Sequence, residues 1–430
     1  MTAAPVSDPS HNGGFKFPPS ARKGAPVVGP RGSMPHRFKA IFDHHSHVSL
    51  YAALQGTPGL STCADSGAAL ELMRGLPEDR LSLVMGWHSG RLPLSEADLA
   101  GLPPVLLVNF SLHGLRLSPE GARLLRDTDP ELVERCADAD WSERNLGRLL
   151  GLYGRTAGLS PAKLETWIQG LEAVGIGAVE DMLLTGTEAW RAMRASRWAD
   201  RMPWWTVPAI FETLPAEAQA ECAGLKFFTD GALGARTAAL DSPFLGGEPG
   251  LLLHADEALR QMLAAAHPHG KAIAIHAIGD RAIGQVLNGL EDLERQGLRF
   301  PLVRLEHVQF ITRAQARRAR DLGLVLSMQP NFSSDSADYA DRLDGPRLAR
   351  NNPFRMLIDE VGFRPGRDLI FGSDGMPHGL AYAAQWGLFP LFEGQRLTLA
   401  ELLAGYGSAP GNPAWGELAV DEAARSVRLL

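Results

Sequence analysis

Two histidines one residue apart, His45 and His47, stand near the end of the run that begins at Phe38, in the order Asp43-His44-His45-Ser46-His47. Along an extended strand, residues two apart send their side chains to the same face. His45 and His47 can therefore reach one metal ion together, while His44 turns the opposite way, toward helices or solvent. Taken alone, the segment also fits a histidine-rich loop with no ligand role. Two further histidines weigh against that. His276 closes Ala272-Ile273-Ala274-Ile275-His276, and His307 closes Val303-Arg304-Leu305-Glu306-His307. Either by itself fits a satisfied core or loop histidine, but both at the ends of successive strands, downstream of a His-x-His, favour a metal centre. Neutral imidazole suits zinc and other borderline divalent ions and leaves a coordination position open for water.

Two other residues extend this reading. Asp374 closes Ile370-Phe371-Gly372-Ser373-Asp374, where a carboxylate beside an activated water can take its proton and hand it to a leaving group; its bland role is to cap the next loop. Lys226 stands inside Leu225-Lys226-Phe227-Phe228, where a charged ammonium is costly to bury. A lysine with a lowered pKa can react with carbon dioxide to give a carbamate, an anionic group able to bridge two metals. The alternative is an ion pair with Asp230 or Asp374.

Eight short apolar runs ending in polar residues position these groups: Phe38 to His47, Gly177 to Asp181, Trp204 to Phe211, Leu225 to Asp230, Ala272 to His276, Leu302 to His307, Leu324 to Gln329 and Leu369 to Asp374. Helical patterns fall between most of them, at Asp256 to Ala266, Arg281 to Glu294, Arg313 to Leu322 and Asn352 to Glu360. That alternation predicts a parallel sheet with crossover helices. Eight units close naturally into an α/β (β/α)8 TIM barrel, whose strand ends converge on one face. An open doubly wound sheet is the competitor, but no GxGxxG or GxxxxGK[ST] follows any run. The stretch 49–173 breaks the rhythm and reads as a long insertion after strand 1 covering the active site, within a barrel spanning 38–405. Residues 1–37 read as a flexible arm, with Met34 open as an internal start, and 406–430 as a tail forming a surface strand or hook.

The composition suits a small-molecule enzyme better than a polyanion binder. A formal net charge of −7 over 430 residues removes the electrostatic term on which nucleic-acid binding depends. Three cysteines without disulfide or zinc-ribbon spacing fit a reducing compartment. No signal-like run and no stretch of transmembrane length stands out, so a cytoplasmic protein without a membrane partner is expected.

Together, Asp43-His44-His45-Ser46-His47, the segment Leu225-Lys226-Phe227-Phe228-Thr229-Asp230-Gly231 running on to Thr237, His276-Ala277-Ile278-Gly279-Asp280-Arg281-Ala282, Arg304-Leu305-Glu306-His307, Ser327-Met328-Gln329-Pro330 and Gly372-Ser373-Asp374 resemble the amidohydrolase superfamily. The nearest branch is that of the YtcJ-like and N-substituted formamide deformylase-like hydrolases of amidohydrolase family 3. The resemblance implies that His45, His47 and Asp374 hold the more buried metal, that Lys226 is the carboxylated bridge, and that His276 and His307 hold a second ion, so one or two divalent metals, zinc first among them. It implies water attacking the carbonyl of a non-peptide C–N bond, with Asp374 moving the proton. Lactone or ester hydrolysis on the same scaffold, and a non-catalytic metal-binding regulatory protein, are the alternatives. Trp87, His113, Arg281 and Gln329 are candidates for touching the substrate, and Asp230, Arg236 and Asp280 for positioning. Family members usually carry a small β-sandwich built from both ends of the chain. Few residues precede His45 or follow Asp374 here, so a reduced or missing sandwich is expected, and a homodimer is left open.

Overall fold

The computed structural model describes residues 34–87, 92–109, 112 and 114–430. The first apolar run divides at Ala40 into two strands, β1 (Met34–Lys39) and β2 (Ile41–Ser46). Residues 34–37, expected in a flexible arm, are thus already strand, and the strand that carries His45 starts at Ile41 rather than Phe38. In the insertion, β3 (Ser82–Trp87), β4 (Val105–Asn109) and β5 (Leu115–Leu117) form a small sheet of their own. One face of it packs a separate apolar cluster around Leu60, Val84, Val105 and Leu107, while Leu83, Leu106 and Val108 face the main core, as strand alternation requires.

β6 (Ile176–Asp181) pairs in parallel with β2. Next come β7 (Trp205–Thr206), β8 (Gly224–Phe228), β9 (Ala272–Ala277), β10 (Val303–His307), β11 (Val325–Met328) and β12 (Leu369–Phe371), hydrogen-bonded in that order as a parallel six-stranded sheet. The run expected to continue to Phe211 stops at Thr206, because Pro208 opens the helix Pro208–Phe211. An isolated parallel bridge, Asp181 to Trp204, links the β6 pair to one edge of the sheet. At the other edge the Asp374 N–H donates to the carbonyl of His45 at 2.7 Å. Contact there is so close that a Cβ on Gly372 would lie 2.3 Å from the backbone nitrogen of His45, which only glycine avoids. β9 is buried along its whole length, and its almost unbroken apolar sequence reflects a strand covered on both faces.

The insertion returns over the sheet through Leu146–Ala157, a helix whose Gly147 lies against Val207 and Phe228 and whose Gly151 lies against Ile210. Helices here start where a serine or aspartate side chain accepts an early N–H ahead of a proline, as at Ser118-Pro119, Asp129-Pro130 and Ser160-Pro161. At the far end of the chain, β13 (Trp415–Asp421) and β14 (Ser426–Leu429) form a hairpin, and β1 pairs antiparallel with β13. Residues 34–39 and 415–429 thus build one three-stranded sheet, a single small layer. Among the described residues no helix is long and apolar enough to cross a membrane.

Candidate metal centre

The C-terminal ends of five strands meet at one place. β2 brings His45, with His47 just beyond it; β8 brings Lys226, β9 His276, β10 Glu306 and His307, and the turn after β12 brings Asp374. One donor atom each from His45, His47 and Asp374 lies within 4.8 Å of the other two. Asp374 Oδ1 is 3.2 Å from His47 Nε2 and 3.6 Å from His45 Nε2. Along the line of imidazoles, ring centroids are 5.5 Å apart from His47 to His45, 4.7 Å from His45 to His307 and 4.6 Å from His307 to His276.

Each of three rings has one nitrogen engaged from behind. His45 Nδ1 meets Glu306 Oε2 at 2.6 Å, His307 Nδ1 meets Gln329 Oε1 at 2.8 Å, and His276 Nε2 meets the carbonyl of Gly231 at 3.1 Å. A carboxylate or carbonyl can only accept, so His45 and His276 carry their proton on those nitrogens and point a lone pair elsewhere. Among the described residues the lone-pair nitrogen of His45, Nε2, is buried with no hydrogen-bond partner, and Lys226 Nζ is in the same condition. Orphaned buried polar atoms beside a carboxylate are what a site for a cation leaves when protein atoms alone are considered; the donor set fits a divalent metal.

Electrostatics favours the ligand forms. Burial, then the charge of Lys226, holds the His45 imidazole well below its ordinary range, and burial with the neighbouring His276, His45 and Lys226 does the same for His307. Both are neutral at pH 7. Burial alone would raise the Asp374 carboxyl, but the His47 hydrogen bond and the nearby positive groups outweigh it and keep it ionised. Burial lowers Lys226 from 10.5 to about 8 against the opposing pull of Glu306 and Asp374.

The ion pair of Lys226 with Asp230 is not formed. The Asp230 carboxylate instead accepts the backbone N–H groups of Ile278, Gly279 and Ala239 and so shapes the turn after His276. Gln329 holds the His307 ring. Arg281 donates to the carbonyl of Gly250 at 3.3 Å, and Asp280 accepts the N–H of Asp241. Arg236 pairs with Glu248 near the surface. Trp87 belongs to the insertion, its indole N–H on the carbonyl of Leu92 and its ring under the Arg116 guanidinium; His113 lies outside the described residues. His44 faces away from the cluster, against Phe42 and Glu180.

Several positioning groups were not singled out from sequence. Arg304 is fully buried between Glu306, Glu180, the carbonyl of His44 and Ser327 Oγ. Asp43 binds the N–H groups of His45 and Ser373. Tyr51 donates to the carbonyl of Asp374 at 2.8 Å. The available signal was the spacing Arg304-x-Glu306 inside an apolar strand, which puts both charges on one face.

The family model described as the amidohydrolase family matches residues 119–404. The chain belongs to that family. It is 35% identical over 143 residues to YtcJ of Bacillus subtilis, an amidohydrolase by name, a match covering 33% of this chain and 27% of that protein. It is 33% identical over 156 residues to LONG AFTER FAR-RED 3 of Arabidopsis thaliana, covering 35% and 26%. These matches therefore span about a quarter of each relative's length. Two solved structures share the fold: uncharacterized metal-dependent hydrolases from Pyrococcus horikoshii (21% identity, TM-score 0.62, 86% of this chain and 80% of that one) and Pyrococcus furiosus (20%, 0.62, 90% and 87%).

Proposed function

We propose that this member of the amidohydrolase family is a metal-dependent hydrolase that cleaves a non-peptide C–N bond of a small molecule with activated water. The observation carrying this reading is the convergence of His45, His47 and Asp374 donor atoms within 4.8 Å beside a buried Lys226 whose ammonium has no hydrogen-bond partner among the described residues. The bridge at Asp181–Trp204 and the contact of Gly372 with His45 support closure of the eight parallel strands into a (β/α)8 barrel, over which the insertion forms the cover.

In this reading His45, His47 and Asp374 would hold one ion, and His276 and His307 a second. A bound divalent ion, zinc by donor type, supplies Lewis acidity and lowers the pKa of water. Lys226, lowered to about 8, keeps a share of free amine at neutral pH. Its nitrogen could add to carbon dioxide with loss of a proton, and the resulting carbamate would supply a further anionic donor to the metal. Asp374, ionised and beside His47, accepts the proton of the attacking water and returns it to the departing nitrogen. The neutral rings of His45 and His307 leave the negative charge of the site on Asp374 and the carbamate.

Metal content per chain, measured on protein purified without chelator, and release of amine from a panel of N-acyl and N-formyl amines with matched esters and lactones, test this. One or two divalent ions per chain with amine release abolished by chelation is the expected result. A folded, metal-free and inactive protein would overturn the reading, and turnover of only the esters or lactones would replace the C–N assignment.

A further inference from the structure

We propose that Glu306 is a positioning residue that fixes the tautomer of His45 and makes the His45–His47–Asp374 position the strongest cation site of the protein. This rests on the metal-binding reading above.

The three engaged histidines differ in what stands behind them. His307 has a neutral amide, and His276 a backbone carbonyl at 3.1 Å with the Asp230 carboxylate further off at 3.4 Å, whereas His45 has a carboxylate in a short hydrogen bond, at 2.6 Å, with both side chains fully buried. A hydrogen bond to an ionised acceptor is roughly twice as strong as a neutral one and makes the opposite ring nitrogen a better donor to metal. The carboxylate is kept ionised by Arg304, whose Nε lies 2.8 Å from Glu306 Oε1. Arg304 in turn is paired with Glu180, lies 5.1 Å over the Trp205 ring, and donates to the carbonyl of His44 at 2.8 Å. Glu180 is fixed by the Trp205 indole N–H at 3.2 Å. Two carboxylates share one guanidinium, so Arg304, Glu306 and Glu180 together carry one net negative charge behind His45, opposed by the Lys226 ammonium while that group is protonated. Burying three charges is expensive; their net negative charge, set behind a lone-pair nitrogen with no hydrogen-bond partner among the described residues, favours a cation there. The residues come from β2, β6, β7 and β10, so the arrangement also locks His45 to the opposite side of the sheet.

The test is titration of the metal-free protein with zinc in competition with a chromophoric chelator, for the wild type, Glu306→Gln, and a double variant, Arg304→Met with Glu306→Gln, which leaves no unpaired arginine in the core. Thermal unfolding of each metal-free protein is followed in parallel. The tightest zinc step is expected to weaken about 10–100-fold in both variants, while the metal-free double variant still melts cooperatively. An unchanged tightest step in a cooperatively melting variant would overturn the proposal, because a purely structural Glu306 would alter melting and leave zinc affinity alone. A wild type that binds no zinc would instead remove the metal-binding reading, and this inference with it.

Discussion

Replacing Lys226 with methionine should make the metal-free protein more stable while lowering its metal content. Lys226 is 1% exposed and its ammonium has no hydrogen-bond partner among the described residues. Its fall from 10.5 to about 8 corresponds, at 1.36 kcal/mol per decade, to about 3 kcal/mol. Because the folded-state pKa lies below the unfolded one, the unfolded chain binds the extra proton between those values, and stability rises with pH from about 8 to 10.5. At pH 7 the native protein bears the whole penalty. Methionine has a similar shape and no charge, so the variant should gain up to about 3 kcal/mol at pH 7, and the gain should shrink as pH approaches 10.5. The assay is urea unfolding of both proteins, stripped with chelator in carbonate-free buffer, across that pH range, with zinc content measured on parallel samples. A variant less stable than wild type at pH 7 would refute the reasoning, since loss of a true buried ion pair costs about 3–5 kcal/mol. Retained zinc at wild-type stoichiometry would remove Lys226 from the site.

Asp374→Asn should lower hydrolysis by about 10²–10⁴-fold with metal content near normal by plasma emission; retained turnover would take the proton transfer away from Asp374. Tyr51→Phe leaves the carbonyl of Asp374 without the phenol that donates to it and should cost about 1–3 kcal/mol in urea unfolding, with no loss expected only if that bond is absent in solution. Gly372→Ala places a methyl 2.3 Å from the nitrogen of His45 and 2.5 Å from its Cβ, so a loss of about 1–3 kcal/mol or more together with depleted metal is expected; wild-type melting would mean that β2 and β12 are further apart.

The histidines and Asp374 were legible in the sequence because each ends an apolar strand, and Lys226 because it interrupts one. The groups behind them were not, for a physical reason: Glu180, Trp205 and Arg304 lie on three different strands and meet only across the interior, a juxtaposition that no local period encodes. The same holds for β1, β13 and β14. Their alternation is that of ordinary short strands, and only their antiparallel register shows that the two ends of the described chain build one sheet. Trp205–Thr206 looked longer than it is because the apolar run continues through Pro208 into a helix, where hydropathy alone cannot separate the two states.

Strand alternation also sets a limit that the site has to break. Glu306 and His307 are adjacent, yet both reach His45, one at 2.6 Å and the other with ring centroids 4.7 Å apart. Two neighbours on a regular strand would point to opposite faces. At His307 the backbone turns left-handed, with φ of 71°, and Asp374 does the same at 55°. Each such residue without glycine's freedom costs of order 1–3 kcal/mol and persists only where its surroundings hold it. Here Gln329 fixes the ring of His307, while Tyr51 and the carbonyl of His45 hold the backbone of Asp374. The strain therefore falls on two of the groups proposed to face metal and substrate, and the hydrogen bonds that offset it come from the side chains of Gln329 and Tyr51 and from the backbone of His45. Substitution of those supports should loosen the site before it unfolds the chain.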